Sequence, residues 1–320
     1  MPESLSAVPG TLRTREILYP CLKGSVQETY GLLLAAGSQR PVLENLRRRY
    51  FRRFFAPREY WRFPTSDPWI RQVLTAYYRY LRRVLTGGAP AMAEDRLYRD
   101  LLGVLPVPGA SYPTLDDLED VAAVAFEARG YRFVGGYTPP YRGPYIWRQT
   151  REAVYDIEIP EGHERVTAYL CSGFLLCGWL DFATFGRIGT GGWAKPEGIY
   201  LVRHRFRSLQ SKQFTVGFLR HEAQHVRDLR RFPALPAEDL EYRAKLVELI
   251  YAPSRRQVEL WRRGALPDRE NAHAYSAYRL LQDLDAAAPS HSWRPARMSA
   301  TARDLLARDT QRLLEETEGL

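Results

Sequence analysis

Residues 214–231 read FTVGFLRHEAQHVRDLRR, and Pro233 follows two residues later. The spacing predicts one helix, ended by Pro233, with Phe214, Phe218, His221, His225 and Leu229 on one stripe and Leu219, Ala223 and Val226 on a second, apolar stripe. Two imidazoles four residues apart on one helical face can both reach a single ion at about 2.0–2.1 Å, which is why this spacing suits zinc. Glu222 lies one residue on, turned by roughly 100°. There it reaches a water at the ion without ligating the ion, the placement of a general base. A structural zinc site with four protein ligands has no use for such a residue.

The next helical stretch, PAEDLEYRAKLVELIY over 236–251, offers Glu238, Asp239, Glu241 and Glu248 as a third ligand. Glu241 is the choice, one turn into the helix after a short loop, with Ala244 three residues later keeping that face slim for close packing. Glu248, two turns on along the same face, is the alternative. Glu238 and Asp239 are first-turn residues favoured by the helix dipole. The set His221, His225 and Glu241 predicts one Zn2+ per chain.

Working outward, residues 191–194 (GGWA) and 198–204 (GIYLVRH) predict a hairpin with its turn at Lys195 to Glu197, immediately before the histidine helix. Strands are also expected over 131–136, 151–160, 164–171 and 185–189, where the period is two and β-branched and aromatic residues are enriched. Ahead of them, from about 25 to 105, the pattern is helical. Ile70, Leu74, Tyr77, Leu81 and Leu85 form one apolar stripe against arginines, and a short acidic helix is expected over 115–129 after a Pro- and Gly-bearing loop at 106–113. Helices return from about 213 to the end. The order helices, sheet, helices argues α+β, in three segments: 1–110 helical and basic, 111–252 holding the sheet and the HExxH helix, and 253–320 helical.

From about 185 to 250 the chain resembles the gluzincin group of HExxH zinc metallopeptidases, within the zincin superfamily. In that group a Glu from a second helix, often followed three residues later by Ala, completes the zinc site. The resemblance implies a zincin-like catalytic core and a zinc-dependent peptidase acting on a peptide or protein substrate. It makes His221, His225 and Glu241 the ligands and Glu222 the residue that activates water. Gly192, Trp193 and Ala194 become the sheet edge on which an extended substrate lies antiparallel. The sequence departs from the pattern at Lys245, where many gluzincins carry an acid that orients a histidine; Asp228 is then a candidate for that task. An oxyanion donor is sought in RENAHAYSAYRLL over 269–281, which offers His273, Tyr275 and Tyr278. His273 is preferred, because in thermolysin-like gluzincins an Asp stands five residues ahead of such a His, as Asp268 does here. Asp268 is otherwise read as the cap of a helix beginning near Arg269.

Composition bounds the alternatives. The 320 residues are 45 % hydrophobic and 26 % charged, as in ordinary globular proteins. No run of 18 uncharged apolar residues appears and the start lacks a signal pattern, so a cytoplasmic location without membrane partners is expected. Three cysteines, Cys21, Cys171 and Cys177, are too few for a disulfide framework. The net charge is +9, and residues 1–110, with 17 Lys+Arg against 9 Asp+Glu, hold +8 of it. Arg47, Arg48, Arg49, Arg52 and Arg53, interleaved with Tyr50, Phe51 and Phe54, support a competing reading: a nucleic-acid-binding or regulatory protein that retains a zinc scaffold. The preferred reading places Leu43, Leu46, Tyr50 and Phe54 in a core and the arginines on a solvated face, so nucleic acid is not the expected partner.

Overall fold

The computed structural model describes residues 14–36, 41–59, 61–106, 114–195, 197–287 and 294–318. The start of the chain, most of the expected loop over 106–113 and Pro196 in the expected hairpin turn lie outside them. The fold is mixed α+β. Contacts divide it into two compact units, Met1–Gln149 with Gly173–Gly189 and Thr150–Ser172 with Thr190–Leu320. These limits differ from the breaks at 110 and 252 expected from the change of period. The C-terminal helices share a unit with the HExxH helix, and the strands of the middle segment are distributed over both units.

In the first unit, α1 (Val26–Ala35), α2 (Pro41–Tyr50), α3 (Pro68–Leu85), α4 (Pro90–Leu102) and α5 (Leu115–Glu127) carry the helical periodicity. Side chains of Ser25, Asp67 and Thr114 accept backbone amides at the starts of α1, α3 and α5, which satisfies donors that a helix start leaves open. Ile70, Leu74, Tyr77, Leu81 and Leu85 are all buried. So are Leu43, Leu46, Tyr50 and Phe54. Arg48, Arg49 and Arg52 are exposed, as expected of a solvated face, and Arg47 and Arg53 are half-buried. Arg47 and Arg48 pair with Glu44 at 2.7 and 3.0 Å, whereas Arg49 and Arg53 lie 4.3 and 4.0 Å from the ring centroid of Phe185.

The strand expected over 185–189 does not form. Residues Gly178–Thr184 are α6, and Phe185 closes it in the left-handed conformation at φ 54°. The Thr184 hydroxyl then accepts the Ile188 amide at 3.0 Å, fixing a turn. Phe185 packs edge-on to Tyr50 and Phe54, so burial of its ring on α2 and the turn that follows overrides the alternating pattern.

In the second unit, β1 (Gln149–Ile159), β2 (Gly162–Ser172), β3 (Gly192–Lys195) and β4 (Gly198–Val202) form one sheet in the order β1-β2-β4-β3. β2 and β4 run parallel, with Ala168 opposite Ile199, and β3 returns antiparallel to β4, with Trp193 opposite Tyr200. The expected hairpin is therefore present, with β3 at the sheet edge. The expected single helix over 214–231 is broken up. A short helical turn, Lys212–Phe214, leads through a π-helical turn, Thr215–Arg220, into α7 (His221–Arg231). The wider turn resets the phase. Phe214 and Phe218 join Leu219, Ala223 and Val226 in the apolar cluster on the sheet, with Ile157, Val166 and Leu201, while Leu229 is left 37 % exposed. α8 (Ala237–Tyr251), α9 (Arg255–Gly264), α10 (Ala272–Ala287) and α11 (Pro295–Glu318) complete the unit. Tyr242, Leu246 and Leu249 of α8 pack there with Leu280 and Leu284 of α10 and Met298 and Leu306 of α11. No helix among the described residues is long and apolar enough to cross a membrane.

Candidate metal centre

The π-helical turn ends at His221, so α7 begins with the first histidine and presents the second one turn later. The two rings stand edge to face, with centroids 4.7 Å apart. Their Nε2 atoms are 3.1 Å apart. α8 packs against α7, and fully buried Ala244 permits the close approach. That brings Glu241 Oε2 to 3.7 Å from His221 Nε2 and Glu241 Oε1 to 3.5 Å from His225 Nε2. An ion held tetrahedrally at about 2.0–2.1 Å has its ligand atoms about 3.3 Å apart. The two histidine nitrogens are close to that spacing, Glu241 meets one with each of its two oxygens, and one ligand atom can be taken from each side chain with all three within 4.8 Å of one another. The residues present fit zinc.

Electrostatics favour a cation at the same point. Burial opposes a charge on His221, but hydrogen bonds that its ring donates to Glu241 and Glu248 outweigh it and push the imidazole up to about 10. Burial likewise pushes Glu241 up, yet hydrogen bonds from His221, His225 and His273 hold its carboxyl well below the usual range. In the chain alone a proton balances these carboxylates; a divalent ion competes for that place.

Glu248 is not drawn into the ligand set. Its Oε1 lies 2.8 Å from His221 Nδ1, a contact that keeps a proton on Nδ1 and leaves Nε2 as the atom that would meet a metal. The residue weighed as an alternative ligand thus supplies the orienting acid missing at Lys245. Asp228 does not serve that purpose: it is buried and accepts from Gln224 Nε2 at 2.9 Å and Arg243 Nε at 2.8 Å. His225 Nδ1 is buried without a hydrogen-bond partner among the described residues.

Glu222 is 9 % exposed, on the turn between the two histidines. Comparison with family models, with curated proteins and with solved structures gives no match.

His273, at the start of α10, is brought to the cluster, its Nδ1 2.8 Å from Glu241 Oε2 and its side chain 76 % exposed. Asp268 is not its support. The Asp268 carboxylate accepts the Glu270 amide at 3.1 Å, and α10 starts later than expected, at Ala272, with Asn271 Oδ1 accepting the Ala274 amide. Tyr275 lies under Arg269, and the Tyr278 hydroxyl accepts from Gln282 Nε2.

β3 runs beside α7. The bond from the Val202 amide to Gly191 O, with the register of the pair, turns the N–H and C=O groups of Gly192 and Ala194 to the outer edge. Thr190 Oγ1 engages both groups of Gly192, whereas Ala194 presents its own outward. Trp193 stacks on Tyr200, their planes 2° apart. Gly192 is a spatial requirement: a Cβ there would lie 2.0 Å from Tyr200 O and 2.6 Å from the Phe218 ring. Lys245, noted in the sequence only as a missing acid, is buried with its Nζ 2.9 Å from Glu241 Oε2. The i, i+4 spacing to Glu241 was the available signal.

Proposed function

We propose that this chain is a zinc-dependent peptidase with a zincin-like catalytic core. The observation that carries the reading is the convergence of His221, His225 and Glu241 within ligand reach of a single ion, with Glu222 next to His221 in the helix and an outward strand edge on the neighbouring β3. His221, His225 and Glu241 would hold one zinc ion. Bound there, zinc supplies Lewis-acid polarisation of the attacking water and of the scissile carbonyl. Glu222 takes the proton of that water and passes it to the leaving amine. The outward groups of Ala194 pair with an extended peptide laid antiparallel along β3, in the manner of an added strand. His273, held by Glu241 through Nδ1, stabilises the oxyanion through Nε2. With Nδ1–H directed at Glu241, Nε2 donates only when the ring is doubly protonated.

Two measurements test the reading. Protein purified without chelator should contain about one zinc per chain by elemental analysis, and it should cleave members of a peptide library in a chelator-sensitive way. Glu222→Gln should keep its zinc and lose turnover. Protein with far less than one equivalent, or a Glu222→Gln variant that cleaves normally, overturns the proposal.

A further inference from the structure

Lys245 stands four residues after Glu241 on α8 and is 5 % exposed. Lysine is almost never buried without partners, because taking an ammonium out of water costs several kcal/mol. Here it has two. Nζ lies 2.9 Å from Glu241 Oε2 and 2.9 Å from Ser276 Oγ. The Ser276 hydroxyl donates to the His273 carbonyl at 3.1 Å, which leaves its oxygen to accept from Lys245. His273 Nδ1 is also directed at Oε2, at 2.8 Å. One oxygen of Glu241 thus receives two close donors. The other, Oε1, carries neither donor and faces His225 Nε2 at 3.5 Å, while Oε2 stands 3.7 Å from His221 Nε2.

We propose that Lys245 is a positioning residue that holds Glu241 Oε2 off the metal, so that Glu241 ligates through Oε1 alone. This rests on the metal-site reading above. A carboxylate can grip an ion with one oxygen or with two. A second oxygen on the ion would fill the position that a hydrolytic site keeps open. Ser276 anchors the ammonium so that it approaches one oxygen rather than moving freely between both.

The test is spectroscopic and independent of turnover. The full-length chain is stripped with a chelator and loaded with Co2+, whose visible absorption is intense at four-coordinate centres and several-fold weaker at five- or six-coordinate ones. Wild-type protein should bind one Co2+ with intense bands. Lys245→Met should still bind one Co2+, with bands several-fold weaker as Glu241 closes onto the ion through both oxygens. Ser276→Ala keeps the ammonium but removes its anchor, and should move the spectrum in the same direction by less. If Lys245→Met fails to fold by circular dichroism, Ser276→Ala decides alone. Weak bands in the wild type, or variants that bind cobalt with the wild-type spectrum, overturn the proposal and leave the metal site standing. A wild-type chain that takes neither cobalt nor zinc removes the metal site, and the role of Lys245 with it.

Discussion

Glu248 and His273 touch the cluster from opposite sides, and each makes a separable demand on it. Glu248 orients His221 from behind, at 2.8 Å, and acids in that role affect metal affinity without bonding the metal. Glu248→Ala should therefore weaken zinc binding by about 10–100-fold, with a larger loss for Glu241→Ala, both measured by competition with a chelating indicator. Equal losses would mean that both carboxylates ligate. His273 is largely exposed, so truncating it should leave stability and zinc content unchanged. If it donates chiefly in the transition state, His273→Ala should lower turnover by roughly 100-fold while the Michaelis constant moves much less. A variant with wild-type turnover would pass the role to Tyr275 or Tyr278.

Among elements, the histidine helix is tied to its neighbours by one buried arginine. Arg243 of α8 is fully buried and donates to Asp228 of α7 at 2.8 Å, to Asp309 of α11 at 3.1 Å and to Thr310 Oγ1 at 3.0 Å. Removing one member of a buried ionic network strands the others in a low dielectric. Arg243→Ala should cost about 3–5 kcal/mol, read from urea unfolding of the second unit; a loss under about 1 kcal/mol would mean the network is not load-sharing. None of this was legible in the sequence, whereas much around it was. The stripe from Ile70 to Leu85, the hairpin before α7 and the pair His221 and His225 depend on neighbours a few residues away, so periodicity reveals them. Glu241 was singled out by its place one turn into the next helix with Ala244 three residues on, and the packing of α8 on α7 brings it to the histidines. The π-helical turn, the role of Glu248 and the fate of Phe185 depend on which faces meet after folding. Phe214 and Phe218 join the sheet core only because an extra residue per turn rotates them there, and Phe185 leaves the strand pattern because Tyr50 and Phe54, more than a hundred residues earlier, bury its ring.

At the scale of the whole molecule, the N-terminal third keeps its positive surplus, but most of the arginines in its densest run are engaged within their own unit. Four of the five arginines between 47 and 53 pair with Glu44 or stack on Phe185. The second feature at this scale is connectivity, for the chain passes between the two units after residues 149, 172 and 189. A fragment of residues 1–149 lacks α6 and the strand Leu176–Cys177, which pairs with Tyr145–Trp147. It should show no cooperative thermal transition by circular dichroism, and a sharp melt would refute that expectation. During synthesis the same threading imposes an order of events. The first unit cannot close until residue 189 has left the ribosome, and β2 emerges well before its parallel partner β4. For that interval the nascent chain carries an unpaired strand edge, which is a template for association with other chains. Expression yield should then depend on chaperone supply more than the stability of the finished protein would suggest.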